Sequence, residues 1–178
     1  MNWFTKHKKL EYGIGIALLV ALIVIGLITI SKKSTDEVEV TKENLKELSY
    51  KALQPKRIPA KFERVEAKVA NVKQGQKTCE RLVTRYEYKK TFYEISIGKN
   101  SCAIEKPSEA GSLVLEDLEG WMQTGNTQNK LELILADGQR AYIKTNLSSP
   151  NVSQVFVEWE PYNIKSDGSI KIELQDKI

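Results

Sequence analysis

The sequence predicts a mainly β domain, a sandwich or small barrel built from antiparallel hairpins, with one N-terminal transmembrane helix and a short juxtamembrane helix. Residues 13–30 (GIGIALLVALIVIGLITI) form an apolar run without a charge. Three later segments alternate apolar and polar residues on either side of a turn, which is the period of half-buried strands. Strand–helix–strand spacing is missing between them, so the pattern favours antiparallel pairing.

The apolar run is 18 residues long and would measure about 27 Å as a helix, close to the hydrocarbon thickness of a bilayer. A short basic tail, residues 1–12, precedes it. We expect a cytoplasmic N-terminus in the inner or plasma membrane, with the C-terminal domain periplasmic or extracellular. Gly13, Ala17 and Ala21 form a small-residue stripe that would let two copies pack through their membrane helices. Ordinary membrane-helix composition gives the same stripe.

The basic excess of the chain belongs to the membrane flanks. The net charge is +4, and residues 1–33 hold five lysines against one glutamate. Residues 34–178 then carry 22 basic and 22 acidic side chains. A nucleic-acid-binding protein would concentrate positive charge on its folded domain, so we expect no nucleic-acid partner.

Cys79 and Cys102 are the two cysteines, and His7 is the single histidine. An isolated cysteine pair in an exported domain predicts a disulfide, the alternative being two buried thiols. Zinc sites use more cysteine and histidine ligands than the domain offers, and no phosphate-binding glycine loop is present. We therefore expect no metal, no cofactor and no catalytic residue.

Residues 31–60 read as a juxtamembrane linker. Thr41 is an N-cap candidate for a helix over residues 42–53, which Pro55 would end. Leu45, Leu48 and Ala52 would share one face of that helix. The β-rich domain would then cover residues 61–178.

The first predicted hairpin spans residues 81–98 and turns at Lys90 and Thr91. This turn would place Cys79 opposite Cys102 at the open end of the hairpin. The other predicted pairs are Tyr88 with Tyr93, Tyr86 with Ile95, and Thr84 with Ile97.

Two further hairpins and two or three lone strands complete the predicted domain. The second hairpin turns at residues 136–138 with Gly138 left-handed, and leaves Glu132 and Arg140 facing outward. One lone strand contains Val65, Ala67 and Val69, and another contains Val155 and Val157. The third hairpin turns at residues 166–168. The pairs expected in the last two hairpins are Leu133 with Ala141, Leu131 with Ile143, Ile164 with Ile170, and Tyr162 with Ile172.

Two features have a partial resemblance to known families. Glu11 at the start of an apolar run resembles the first helix of pilins, although residues 6–10 offer no small processing residue. The overall plan of one span and a β-domain resembles that of membrane-anchored signal peptidases, which use a Ser/Lys dyad. Their serine precedes a methionine, whereas neither Met1 nor Met122 follows a serine.

The sequence thus favours a membrane-anchored, non-catalytic protein-binding component of a cell-envelope assembly such as secretion or pilus machinery. A membrane-anchored hydrolase is the first alternative, with a Ser/Lys dyad or a carboxylate pair. Glu116, Asp117 and Glu119 are the candidates for that pair, and a solvated acidic loop is the simpler interpretation of them. A pilin-like filament subunit is the second alternative.

Overall fold

The computed structural model describes residues 37–164, 169–172 and 174, which belong to one compact unit. The prediction of a mainly β, antiparallel domain is confirmed. The strands are β1 (Glu37–Glu39), β2 (Leu53–Pro55), β3 (Ile58–Pro59), β4 (Glu63–Gln74), β5 (Lys77–Tyr88), β6 (Thr91–Gly98), β7 (Gly111–Leu115), β8 (Leu118–Gln123), β9 (Asn129–Ile134), β10 (Arg140–Thr145), β11 (Trp159–Pro161) and β12 (Ser169–Ile170). Helices α1 (Lys42–Glu47) and α2 (Ser149–Phe156) and a 3-10 turn (Asn100–Cys102) accompany them.

Eight strands form one antiparallel sheet in the order β1-β4-β5-β6-β10-β9-β8-β7. Among the described residues, β1 and β7 do not pair with each other, so the sheet has two edges instead of the closed ladder of a barrel. The two-stranded pairs β2–β11 and β3–β12 lie outside this sheet. One face of the sheet packs against α2 and these short strands, where a sandwich would have a second large sheet.

The core is an aromatic and aliphatic layer between the sheet and its cover. The Tyr86 and Tyr93 rings stack with centroids 4.8 Å apart, and Phe156 of α2 meets Tyr93 edge-on at 5.5 Å. Phe62 packs on the other side of Tyr93, with ring centroids 5.1 Å apart. Aromatic pairs of this kind add to the stabilisation gained by burying their area.

The predicted register of the β5–β6 hairpin is wrong: each residue of β5 pairs with a β6 residue two positions earlier than predicted. Tyr86 pairs with Tyr93, and Tyr88 pairs with Thr91. The turn therefore consists of the residues between Tyr88 and Thr91, and its first residue, Lys89, adopts φ +55°. A lysine in the sequence does not predict a positive φ, because a side chain raises the energy of that conformation.

The predicted disulfide between Cys79 and Cys102 is confirmed, with the two Cα atoms 5.7 Å apart. Its geometry differs from the expected cross-strand pair. Cys79 pairs with Val72 of β4, and Cys102 lies in the 3-10 turn that follows β6. That turn compensates for the shifted register by bringing Cys102 back over β5.

The juxtamembrane helix is shorter than predicted. Thr41 caps α1 as expected, in a reciprocal pair of hydrogen bonds with Asn44. Leu48 then adopts ψ 131°, which ends the helix well before Pro55. Two tertiary contacts oppose a longer helix: the Tyr50 hydroxyl binds the sheet, and Leu53 belongs to β2, which pairs with β11.

The β9–β10 hairpin has the predicted register. Leu133 pairs with Ala141 and Leu131 with Ile143, and Gly138 has φ +80°. The three-residue loop is confirmed because Gly138 takes the left-handed conformation that it requires.

The segment predicted as a strand around Val155 is instead helix α2. Pro150 stands in its first turn, where a missing N–H costs nothing. Val152, Val155 and Phe156 repeat at helical spacing and are buried in the core. The short alternation from Val155 to Val157 could not distinguish a strand from this helix.

The third predicted hairpin does not form in the described residues. Ser169 and Ile170 pair in parallel with Ile58 and Pro59, so Ile170 does not face Ile164. The turn at residues 166–168 lies outside the described residues.

The predicted tail (residues 1–12), the transmembrane helix (residues 13–30) and its stripe of Gly13, Ala17 and Ala21 also lie outside the described residues. Within residues 37–164, 169–172 and 174, neither helix has the length and hydropathy required to cross a bilayer.

Candidate functional site

Strand β7 is an open sheet edge. In the described part of the chain its one strand neighbour is β8, to which a two-residue turn connects it, with Leu115 opposite Leu118. Residues that close such a turn exchange hydrogen bonds with each other, and bonded and non-bonded pairs then alternate along the ladder. Ser112 and Val114 consequently direct their backbone N–H and C=O groups away from β8, toward the open edge.

The side chains of β7 fix the strand in the domain and leave its outer surface open. Leu115 is buried and Leu113 packs against the core. On the other face of the sheet, Val114 is 68% exposed, the most exposed large apolar side chain among the described residues. Trp121 lies opposite Ser112 on β8, is buried, and packs against the Tyr142 ring. Leu113 and Leu115 thus hold β7 to the core, while Val114 on the opposite face is accessible to solvent.

The sequence of β7, GSLVL, contains none of the features by which proteins block a strand edge. It has no charged residue and no proline. The opposite edge, β1, has three residues, among them the exposed Glu39. Of the two outermost strands of the sheet, β7 is the longer, and unlike β1 it carries no charged residue.

Carboxylates surround this edge. Glu116 and Asp117 form the turn at its C-terminal end, and Glu119 lies directly across from Val114 on β8. At the other end, Glu109 accepts a 2.9 Å hydrogen bond from the Gln123 side chain. All four carboxylate residues are exposed, as a solvated acidic loop would be.

The loop of residues 99–110, which leads into β7, covers a buried charged cluster. The cluster consists of Arg81, Glu132 and Arg140 on the outer face of the sheet, where Arg81 is 3% and Glu132 is 2% exposed. Arg140 Nη1 lies 3.6 Å from Glu132 Oε1. Glu132 therefore lies on the outer face of the sheet, as predicted. The loop nevertheless shields its side chain from solvent.

Backbone contacts hold the loop on the cluster. Ile104 donates its N–H to Glu132 Oε2 at 2.6 Å, and Arg81 Nη2 donates to the Cys102 carbonyl. Gln74 donates to the Ala103 carbonyl. Together with the disulfide, these bonds fix residues 102–104, a few residues before β7 begins. The cluster therefore holds the first part of the loop that leads into β7.

Burial is the largest cause of the pKa shifts of Glu132 and Arg81. Burial raises the pKa of the Glu132 carboxyl, while the Ile104 N–H, Arg140 and Arg81 act in the opposite direction. Burial also lowers the pKa of Arg81, against the attraction of Glu132. Within the described part of the chain, Arg81 Nη1 is buried without a hydrogen-bond partner. Because the covering loop separates these groups from any substrate, we assign them a structural role.

A serine and a lysine do approach each other, at the edge itself. Lys106 Nζ lies 3.4 Å from Ser112 Oγ. Both residues are exposed, however, and a Ser/Lys dyad depends on burial to make its lysine a base. Among the described residues, no three His, Cys, Asp or Glu side chains form a group that could hold a metal ion.

An open depression of about 340 Å³ lies between α1 and the segment after β11. Lys42, Lys46 and Tyr162 are among its lining residues. The Arg64 guanidinium lies over the Tyr162 ring, 5.2 Å from its centroid, which stabilises this corner of the domain.

Comparison with protein-family models found no match, and comparisons with curated proteins and with solved structures gave none either.

Proposed function

We propose that this chain is a single-pass membrane protein of the cell envelope whose β-domain binds other envelope proteins and has no catalytic activity of its own. Its N-terminus is cytoplasmic and its domain lies in the periplasmic or extracellular space. The observation that carries the proposal is the open edge of β7, where, within the described residues, Ser112 and Val114 offer unpaired backbone groups on a strand that the core holds in place. Addition of a partner strand to such an edge is a common mode of protein recognition.

Two further observations support the location. The Cys79–Cys102 disulfide suits an oxidising compartment outside the cytoplasm. The uncharged run of residues 13–30 precedes the domain, with three lysines before it. The stripe of Gly13, Ala17 and Ala21 gives the proposed anchor a surface through which two copies could associate.

The binding proposal is tested with tagged full-length protein, extracted in mild detergent and isolated with its bound proteins. The informative variant is Val114→Pro, since proline removes one outward N–H and is tolerated on an edge strand. Val114→Thr is the matched control, because it retains the N–H and the β-branched shape. We expect a stoichiometric partner with wild type and Val114→Thr, and its loss with Val114→Pro at an unchanged melting temperature. Equal recovery of the same proteins with Val114→Pro would refute binding through β7.

The location is tested by thiol labelling of Val65→Cys, an exposed position away from the proposed binding edge, in intact cells with a reagent that does not cross membranes. Labelling of the intact cells, or of spheroplasts if an outer membrane is present, is expected. Labelling only after the plasma membrane is permeabilised would place the domain in the cytoplasm and contradict the proposed topology.

A further inference from the structure

The charges around β7 indicate what kind of strand can add to it. Glu116 and Asp117 form the turn at the C-terminal end of the edge, and the exposed Glu109, whose carboxylate binds Gln123 of β8, precedes its N-terminal end, so the potential at both ends of the edge has a negative contribution. Lys106 is the one cation that the described contacts place beside the edge, where it binds Ser112. Opposite charges on two proteins speed their association, and like charges brought together disfavour the wrong partners.

The face of the edge adds a further carboxylate. Glu119 lies opposite Val114 on β8, and both side chains are exposed on the same face of the sheet. A partner strand would lie about 4.8 Å beyond β7, which is about 10 Å from β8. A lysine or arginine of the partner can cover much of that distance, while an apolar residue beside it contacts Val114.

A second copy of this chain is a poor occupant. Antiparallel pairing of β7 with β7 would bring Glu116 and Asp117 of one copy toward Glu109 of the other. Pairing of β7 with β1 would bring the exposed Glu39 to the same acidic edge. Like charges placed opposite each other on adjacent strands destabilise the pair.

We infer that the occupant of the β7 edge is an extended segment of a different protein, with apolar or β-branched residues at its centre and lysine or arginine at its ends. This inference rests on the proposed function and adds the chemistry of the partner to it. The segment pairs its backbone with Ser112 and Val114, and its basic ends face the carboxylates that flank β7.

The test uses two fluorescent nine-residue peptides, KKTVTVTKK and EETVTVTEE, and full-length protein in a neutral detergent. We expect the lysine peptide to bind about tenfold or more tightly than the glutamate peptide in low salt, and the difference to shrink at high salt. Fluorescence anisotropy measures both affinities. The triple variant Glu116→Lys, Asp117→Lys, Glu119→Lys is expected to reverse the preference, which a purely structural role of these residues would not produce.

The outcomes separate this inference from the proposed function. Equal binding of both peptides, lost with Val114→Pro, would overturn the inference about charge and leave strand addition at β7 standing. Binding of neither peptide, or binding that Val114→Pro does not affect, would count against both. Cross-linking that joins two copies of the chain through β7 would identify the occupant as a second copy and overturn the inference.

Discussion

The backbone N–H of Ile104 donates a 2.6 Å hydrogen bond to the buried carboxylate of Glu132. This bond ties the loop after β6 to the middle of β9. It also explains how a charged residue can occupy the sheet beneath that loop, because a buried carboxylate needs donors to replace its water. The same loop leads into β7.

The raised pKa of Glu132 predicts how its contribution to stability depends on pH. The folded state binds this proton more tightly than the unfolded state, in which the carboxyl has a pKa of about 4.3. The resulting stabilisation is fully present below that value and is lost as pH rises through the folded-state pKa. We expect the Glu132→Gln variant to gain stability relative to wild type between about pH 4 and pH 7, as measured by urea unfolding. Glu119→Gln is the exposed control, and a constant difference in stability between wild type and the Glu132→Gln variant across this range would contradict the assignment.

The disulfide should stabilise the domain substantially. Replacing both Cys79 and Cys102 with serine removes a cross-link between residues that are 23 positions apart in the sequence. We expect the free energy of unfolding to fall by about 3 kcal/mol, with faster amide exchange at Ile104. Thr78→Ser, on the exposed end of β5, is the control. An unchanged melting temperature of the double variant would show that the cross-link does not stabilise the fold.

Gly120 should be indispensable for the pairing of β8 with β9. A Cβ atom at this position would lie 1.9 Å from the Glu132 carbonyl oxygen, a backbone atom that cannot move aside alone. Gly120→Ala is therefore expected to cost about 1–3 kcal/mol of stability or more. Gly111→Ala is the matched control, since its nearest contact would be at 3.9 Å. Similar melting temperatures for the two variants would disprove the close approach.

Tyr50 should anchor the chain between α1 and β2 to the sheet. Its hydroxyl donates to the Ile97 carbonyl at 3.0 Å and accepts from the Leu82 N–H at 2.8 Å. Tyr50→Phe leaves both sheet groups without this partner, so we expect a loss of about 1–3 kcal/mol in chemical denaturation. Tyr88→Phe, at a half-buried position of β5, serves for comparison. Equal stability of the Tyr50→Phe variant and wild type would contradict the anchoring role.

Local turn chemistry decided which parts of the fold the sequence could predict. The β9–β10 register was predictable because Gly138 marks its turn. The β5–β6 register was not, because Lys89 adopts positive φ without a glycine or asparagine signal. The disulfide was predicted correctly from compartment and composition, although a 3-10 turn and not strand register brings Cys102 to Cys79.

The features that the sequence could not predict depend on pairing between residues that are far apart in the chain. The edge position of β7 follows from the pairing of β6 with β10. The paired residues are 42 to 52 positions apart in the sequence and carry no local signal of that contact. Glu132 alternates like an exposed strand residue, and only the loop of residues 99–110 buries it. The sequence did show the acidic residues after Leu115, but it could not show that they flank an open edge.

Site-specific photo-cross-linking in living cells is the most direct way to detect a partner strand paired with β7. A p-benzoylphenylalanine residue replaces Val114 in the full-length protein, and in a second strain it replaces Val65, which is also exposed but lies on β4, near the opposite edge of the sheet. We predict a discrete cross-linked product with one envelope protein from position 114 and none from position 65. No product from position 114, or the same products from both positions, would contradict strand addition at β7.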